Sequence, residues 1–184
     1  LLLDVPDAKL LPVVIDAKPW QTDEPVLERA VPRVLHVPSN PLVKGTAEIM
    51  PILTGMHADG LIEYVTVSGV SHAEMPALYA GADIVVDQFR LGDYGVAACE
   101  AMAAGRLVVS HVSEQARTAV QDASGVELPI VEATIGNLGE VLRDVLADRE
   151  RYRDIAAQGP GFVTTVHDGR LSRTVLEEGF LFRD

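Results

Sequence analysis

Residues 93–105 read DYGVAACEAMAAG, and this stretch decides the fold. A single acid, Glu100, stands among Gly, Ala, Val, Cys and Met. Wound as a helix, residues 95–104 are apolar on nearly every side, so the helix is expected to be buried. A carboxylate in such a helix is costly unless something hydrogen-bonds it. Gly95 at the entrance and Gly105 at the exit leave a backbone that a ligand can approach closely. The opening turn suits an anion, and the acid one turn further in suits a hydroxyl. A nucleotide offers both groups.

Outward from this helix, short apolar runs alternate with helical spacing. RVLHV (33–37), LIEYVTV (61–67), DIVV (83–86), RLVVS (106–110) and LPIV (128–131) read as strands. Between them, 45–58 has helical spacing at Ile49, Ile52, Leu53 and Met56, and Ser71 with Glu74 forms a capping box that opens a helix running to Tyr79. Three helical segments are expected after the last strand, at 135–147, 149–158 and 160–180. The first 30 residues contain Pro6, Pro12, Pro19 and Pro25 and read as irregular, with one edge strand at Leu10–Ile15. The alternation predicts an α/β fold, a parallel sheet with helices on both faces. Ligands of such sheets bind beyond the carboxyl ends of the strands. The loops 38–45, 68–72, 87–94 and 110–114 are therefore the candidate site.

The 184 residues suffice for one domain with a real core. A net charge of −12 argues against a nucleic-acid backbone as partner, since that needs a basic surface, but leaves room for a small nucleotide. Cys99 is the single cysteine, so no internal disulfide forms, which fits a reducing, cytoplasmic setting. No apolar run approaches the ~20 residues that span a bilayer. LLLDVPDAKLLPVVID has neither a basic start nor a small-residue cleavage site, so no signal peptide is expected. It also lacks an initiator Met and reads as an internal segment of a longer protein. Many alanines and twelve arginines against three lysines suggest a GC-rich, bacterial genome.

Each candidate residue has a plainer reading beside the functional one. Lys44, before Gly45 and Thr46 at a helix start, either meets an anion there or is a solvated lysine. His36 reads as a core histidine with a hydrogen-bonded ring. The five histidines show no ligand spacing, so no metal is expected. Asp93 reads as a capping acid, Tyr94 as a packed aromatic or a ligand wall, and Cys99 as a small core residue. No GxGxxG, P-loop or GxSxG motif is present.

Three pieces, in order, resemble the C-terminal domain of family 4 (group 1) retaining glycosyltransferases, one half of the two-domain GT-B fold. They are PSNPLVKGT (38–46), SHAEMPALYAGAD (71–83) and YGVAACEAMAAG (94–105). The resemblance divides the chain into an interdomain connection (1–30), a Rossmann-like donor-binding domain (31–165) and a C-terminal helical tail (166–184). It implies a nucleoside diphosphate sugar as donor, with no cofactor required. Lys44 and Gly45 would take the diphosphate, as would the backbone of Tyr94, Gly95 and Val96. Glu100 would accept from ribose hydroxyls, and Val70, Ser71 and His72 would border the base. Lys44 and Glu100 are the expected catalytic pair.

The chain departs from the family pattern twice. Gly92 stands where a second glutamate is usual, and Ser39, still counted in the site, stands where a basic residue is common. Asp87, Arg90 or Asp93 are candidates to compensate. The whole enzyme is expected to pass the sugar to a sugar, lipid or small-molecule acceptor held by an N-terminal domain, with possible peripheral membrane association. The isolated chain is expected to be inactive. A sugar-nucleotide epimerase half and a non-catalytic α/β interaction module are the alternatives.

Overall fold

The structure, a computed structural model, describes residues 9–181. Five strands, β1 (Arg33–His36), β2 (Glu63–Thr66), β3 (Ile84–Val86), β4 (Leu107–Ser110) and β5 (Ile130–Glu132), pair in parallel in the order β2-β1-β3-β4-β5. The α/β reading with a covered parallel sheet therefore holds. Alternate strand residues point to opposite faces. Val34, Ile84, Val86, Leu107 and Val109 feed one core, while Leu35, Val85, Val108 and Ile130 feed the other.

The first core is closed by α2 (Thr46–Ala58) and α6 (Leu138–Ala147), through Ile49, Leu53, Leu138 and Leu142. The second is closed by α3 (Met75–Ala80) and α4 (Val96–Ala103). The long helix α7 (Arg149–Val166) serves both, giving Tyr152 and Ala156 to one and Phe162, Val163 and Val166 to the other. Asp83 is fully buried and ties the irregular lead-in to the sheet. Its carboxylate accepts from the N–H groups of Leu27 (2.7 Å) and Arg33 (2.8 Å) and from Arg29 (2.9 Å). A buried carboxylate so satisfied costs little and fixes register.

Four local expectations are corrected. Leu10–Ile15 is no edge strand. Its backbone instead runs along the end of α7, where Ile15 N–H donates to the His167 carbonyl (2.7 Å), His167 Nδ1 meets the Val13 carbonyl (2.8 Å) and Ser172 Oγ donates to the Pro12 carbonyl (2.6 Å). The loop 38–44 holds a short helix, α1 (Pro41–Lys44), whose N-terminus is capped by the Asn40 side chain. Glu114–Ser124 forms helix α5, unforeseen in the sequence, with Ser113 as its N-cap and Gly125 left-handed at its end. The expected break at Gln158–Pro160 is absent, because α7 runs on to Val166. Close packing accompanies this: a Cβ at Gly159 would lie 2.6 Å from the Met102 carbonyl oxygen, so glycine is what lets α7 seat on α4. The chain turns instead at 167–169, where α8 (Arg170–Leu176) begins and is followed by a π-turn at Glu177–Leu181.

Candidate functional site

Between β1 and β3 the strand order reverses direction, and this is where doubly wound sheets bind ligands. A cleft of about 350 Å³ opens there. Val37, Pro38 and Ser39 line it from the end of β1, and Val67, Ser68, Gly69 and Val70 from the end of β2. His72, Met75 and Tyr79 form one wall, and Val96, Ala97 and Glu100 of α4 form another. Of the expected site residues, the fold thus brings Ser39, Val70, His72, Val96 and Glu100 into one cleft. Val67, Met75 and Tyr79, which the sequence reading does not assign to the site, join them.

Glu100 is the buried acid of a buried helix, with Ala98, Cys99, Ala101, Met102 and Ala103 buried around it. Its Oε1 lies 3.0 Å from His72 Nε2. Burial pushes its carboxyl above the usual range, and the His72 hydrogen bond pulls it back. Asp87 adds to the rise and Lys44 opposes it. The two expected catalytic residues therefore feel one another's fields.

Lys44 is not solvated. It ends α1, is 6% exposed, and pairs with the equally buried Asp87 at the end of β3. Gly45, at φ +69°, ends α1 and starts α2 in one residue. The turn is pinned from below by His36, whose Nδ1 donates to the Val86 carbonyl (2.8 Å) while Nε2 accepts from the Thr46 hydroxyl (2.9 Å). Burial lowers the His36 pKa, with Lys44 adding to the fall, so the ring is a neutral core histidine as expected.

At the entrance of α4, Gly95 is the N-cap and no side chain caps the helix. Asp93 is not its cap: the carboxylate accepts from the next residue's N–H, at Tyr94 (2.8 Å). The Tyr94 ring is turned away from the cleft. It packs edge-on to Phe162 and His167, with its hydroxyl 3.2 Å from His167 Nε2. Cys99 faces the same histidine, and burial pushes its thiol well up, which fits a core residue and not a nucleophile. Ser71 is engaged in its capping box with Glu74.

Gly92 has φ +66°, a conformation that disfavours a side chain. A Cβ there would meet Ser113 and His111 at 3.4 and 3.5 Å. The three residues weighed as compensation are all engaged within the chain: Asp87 with Lys44, Arg90 with Glu48, and Asp93 with Tyr94. Among the described residues no group of three or more His, Cys, Asp and Glu is placed to hold a metal, and no helix is long and apolar enough to cross a membrane.

A family model described as Glycosyl transferases group 1 matches residues 56–161. No curated protein sequence matches the chain. Among solved structures, sucrose-phosphate synthase from Thermosynechococcus elongatus is similar, with a TM-score of 0.63 and 17% identity over 90% of this chain and 50% of that one. HepE from Anabaena, in complex with UDP and glucose, has a TM-score of 0.61 and 13% identity over 90% of this chain and 55% of that one. The C-terminal domain of the group 1 glycosyl transferase LpcC from Francisella tularensis has a TM-score of 0.52 and 16% identity over 82% of this chain and 97% of that domain. At such identities the likeness is one of fold. The chain spans about half the length of the first two proteins.

Proposed function

The chain belongs to the glycosyl transferases group 1 family, and from that premise we propose that its cleft binds the nucleoside diphosphate sugar donor of a retaining transferase. The observation that carries this reading is the Glu100 carboxylate, delivered by a buried helix into a cleft at the sheet's switch point. Ribose hydroxyls donating to it are charge-assisted hydrogen bonds, each worth ~1.5–3 kcal/mol. The backbone of the Val70–His72 turn borders the base, and Ser39 faces the cleft from the end of β1. UDP and glucose bound to HepE favour a uridine nucleotide as the first ligand to try.

The diphosphate lies against the uncapped N-terminus of α4, at the Tyr94–Gly95–Val96 backbone, where helix N–H groups and dipole favour an anion. Lys44 and Gly45 close its other side. An ammonium carries three N–H donors. Asp87 takes one, which orients Lys44 and leaves others for phosphate. When the sugar–phosphate bond breaks, negative charge builds on the leaving diphosphate, and these fixed positive groups stabilise it. The sugar passes to an acceptor hydroxyl with its anomeric configuration kept, and the acceptor is held by an N-terminal domain outside this chain. Residues 31–165 form the donor-binding unit of that GT-B enzyme, residues 1–30 connect it to the other half, and 166–184 form its tail. A cytoplasmic enzyme with access to nucleotide sugars fits this chemistry.

Thermal unfolding of the 184-residue chain with UDP, GDP and ADP tests the reading. A bound nucleotide at 100 times its Kd stabilises by ~2.7 kcal/mol, and E100A removes most of that shift. No shift with any nucleotide would favour the non-catalytic module instead. The chain alone is expected to show no transferase turnover, and sustained turnover would refute the need for a second domain.

A further inference from the structure

Glu100 already has a partner in the ligand-free cleft, and that partner is unlike the acid. The His72 side chain is 78% exposed, whereas that of Glu100 is 7% exposed. Only Oε1 of the carboxylate is hydrogen-bonded among the described residues. The same imidazole stands edge-on to Trp20, with ring centroids 5.3 Å apart at 84°. Trp20 is buried, comes from the segment ahead of β1, and is backed by Tyr79 at 5.7 Å. His72 is thus held by one hydrogen bond and one ring edge, with water on its other sides. Vicinal hydroxyls can offer the carboxylate two hydrogen bonds where the imidazole offers one, so an exchange loses nothing at Glu100.

We propose that His72 is a positioning residue that holds Glu100 in the empty cleft, gives it up to the vicinal hydroxyls of a nucleoside, and leaves Trp20 as it does so. The proposal rests on the nucleotide-site reading above. Donor occupancy is thereby transmitted to the segment ahead of β1 through a single ring contact. As a competitor for the carboxylate, His72 weakens nucleotide binding. An imidazole that bound the ligand directly would strengthen it.

Trp20 is the only tryptophan of the chain, so emission reports its surroundings, the His72 ring among them. UDP, GDP and ADP are titrated separately into the 184-residue chain, with Kd from calorimetry and Trp20 emission followed in parallel. The wild type shows an emission change that is half-complete at the calorimetric Kd. H72A binds about two- to fivefold tighter, the value of one such pair open to water, and its emission no longer responds to nucleotide. H72Q, which can still donate to Glu100, returns Kd to the wild-type value. Without ligand, E100A shifts emission to the H72A level. Weaker binding by H72A, a nucleotide response that survives in H72A, or E100A emission equal to wild type each overturns the exchange. If calorimetry finds no binding by any nucleotide, the nucleotide-site reading falls and the exchange falls with it.

Discussion

Lys44–Asp87 and His72–Glu100 each join a basic side chain to a carboxylate beyond the strand ends, yet they sit in different media. The first pair is closed off, with side chains 8% and 4% exposed. The second has one buried member and one in water. A charge pair taken out of water repays its desolvation only while both partners stay in place. The Lys44 end is therefore a fixed, preorganised positive charge. At the Glu100 end the partner is open to solvent, which is what the proposed exchange for a ligand requires. Under the proposed nucleotide reading, the first pair is the rigid phosphate end and the second the exchangeable ribose end.

The largest test of this contrast is K44A. It leaves Asp87 buried without its cation and should destabilise the chain by about 3–5 kcal/mol in urea denaturation. The double change K44M/D87L should restore most of that stability, and a loss under about 1 kcal/mol in K44A would show that the pair is effectively solvated. Next is G159A, which sets a methyl against the Met102 carbonyl. Overpacking there should cost about 1–3 kcal/mol and, by shifting α4, weaken nucleotide binding at the Glu100 end while leaving Lys44–Asp87 intact.

Acid should act on both ends. His36 lies under the Lys44 turn and His167 behind α4, and burial is the main cause of the lowered pKa in each. Their folded pKa values lie below the unfolded 6.5, so the unfolded chain takes up protons first as pH falls. Their neutral rings cost the fold nothing above about pH 6.5, and stability drops below that value until the folded pKa values are passed. Urea midpoints at pH 7.5, 6.5 and 5.5 measure this, and H36N/H167N should flatten that part of the profile. The smallest effect is H72A on stability. The pair is open to water on the His72 side, so water can take the imidazole's place at Glu100 and the loss should be ~0–1 kcal/mol, leaving the urea midpoint near wild type even as nucleotide affinity changes.

Much of this architecture was legible residue by residue. The run from Gly95 to Ala104 announced a buried helix because no polar face was available to water, and the β-branched runs announced a covered parallel sheet. Helix α5 escaped because only Val120 of its eleven residues is buried. Its signals, Ser113 and Gly125 at the two ends, were local caps and not hydrophobic period. The continuity of α7 escaped for the opposite reason. Gly-Pro-Gly at 159–161 is a breaker in isolation, and only contact with α4 makes it helical. At the turn before α4, Tyr94 takes the packed-aromatic one of its two readings, whereas the Asp93 carboxylate turns to the Tyr94 N–H and not to the helix, since φ/ψ preferences do not fix where a side chain points.

By itself the sequence determined which residues must be buried and where the strands end, because hydrophobic period and chain breaks are local properties. It therefore determined that Glu100 and Lys44 would be unusual. It did not determine what they touch. Their partners lie 28 and 43 residues away, and no spacing along the chain encodes that. The crossing of β1, β2 and β3 brought those loops to one edge of the sheet. Only that arrangement decided that the lysine would be locked to an acid and the acid lightly held by an exposed histidine.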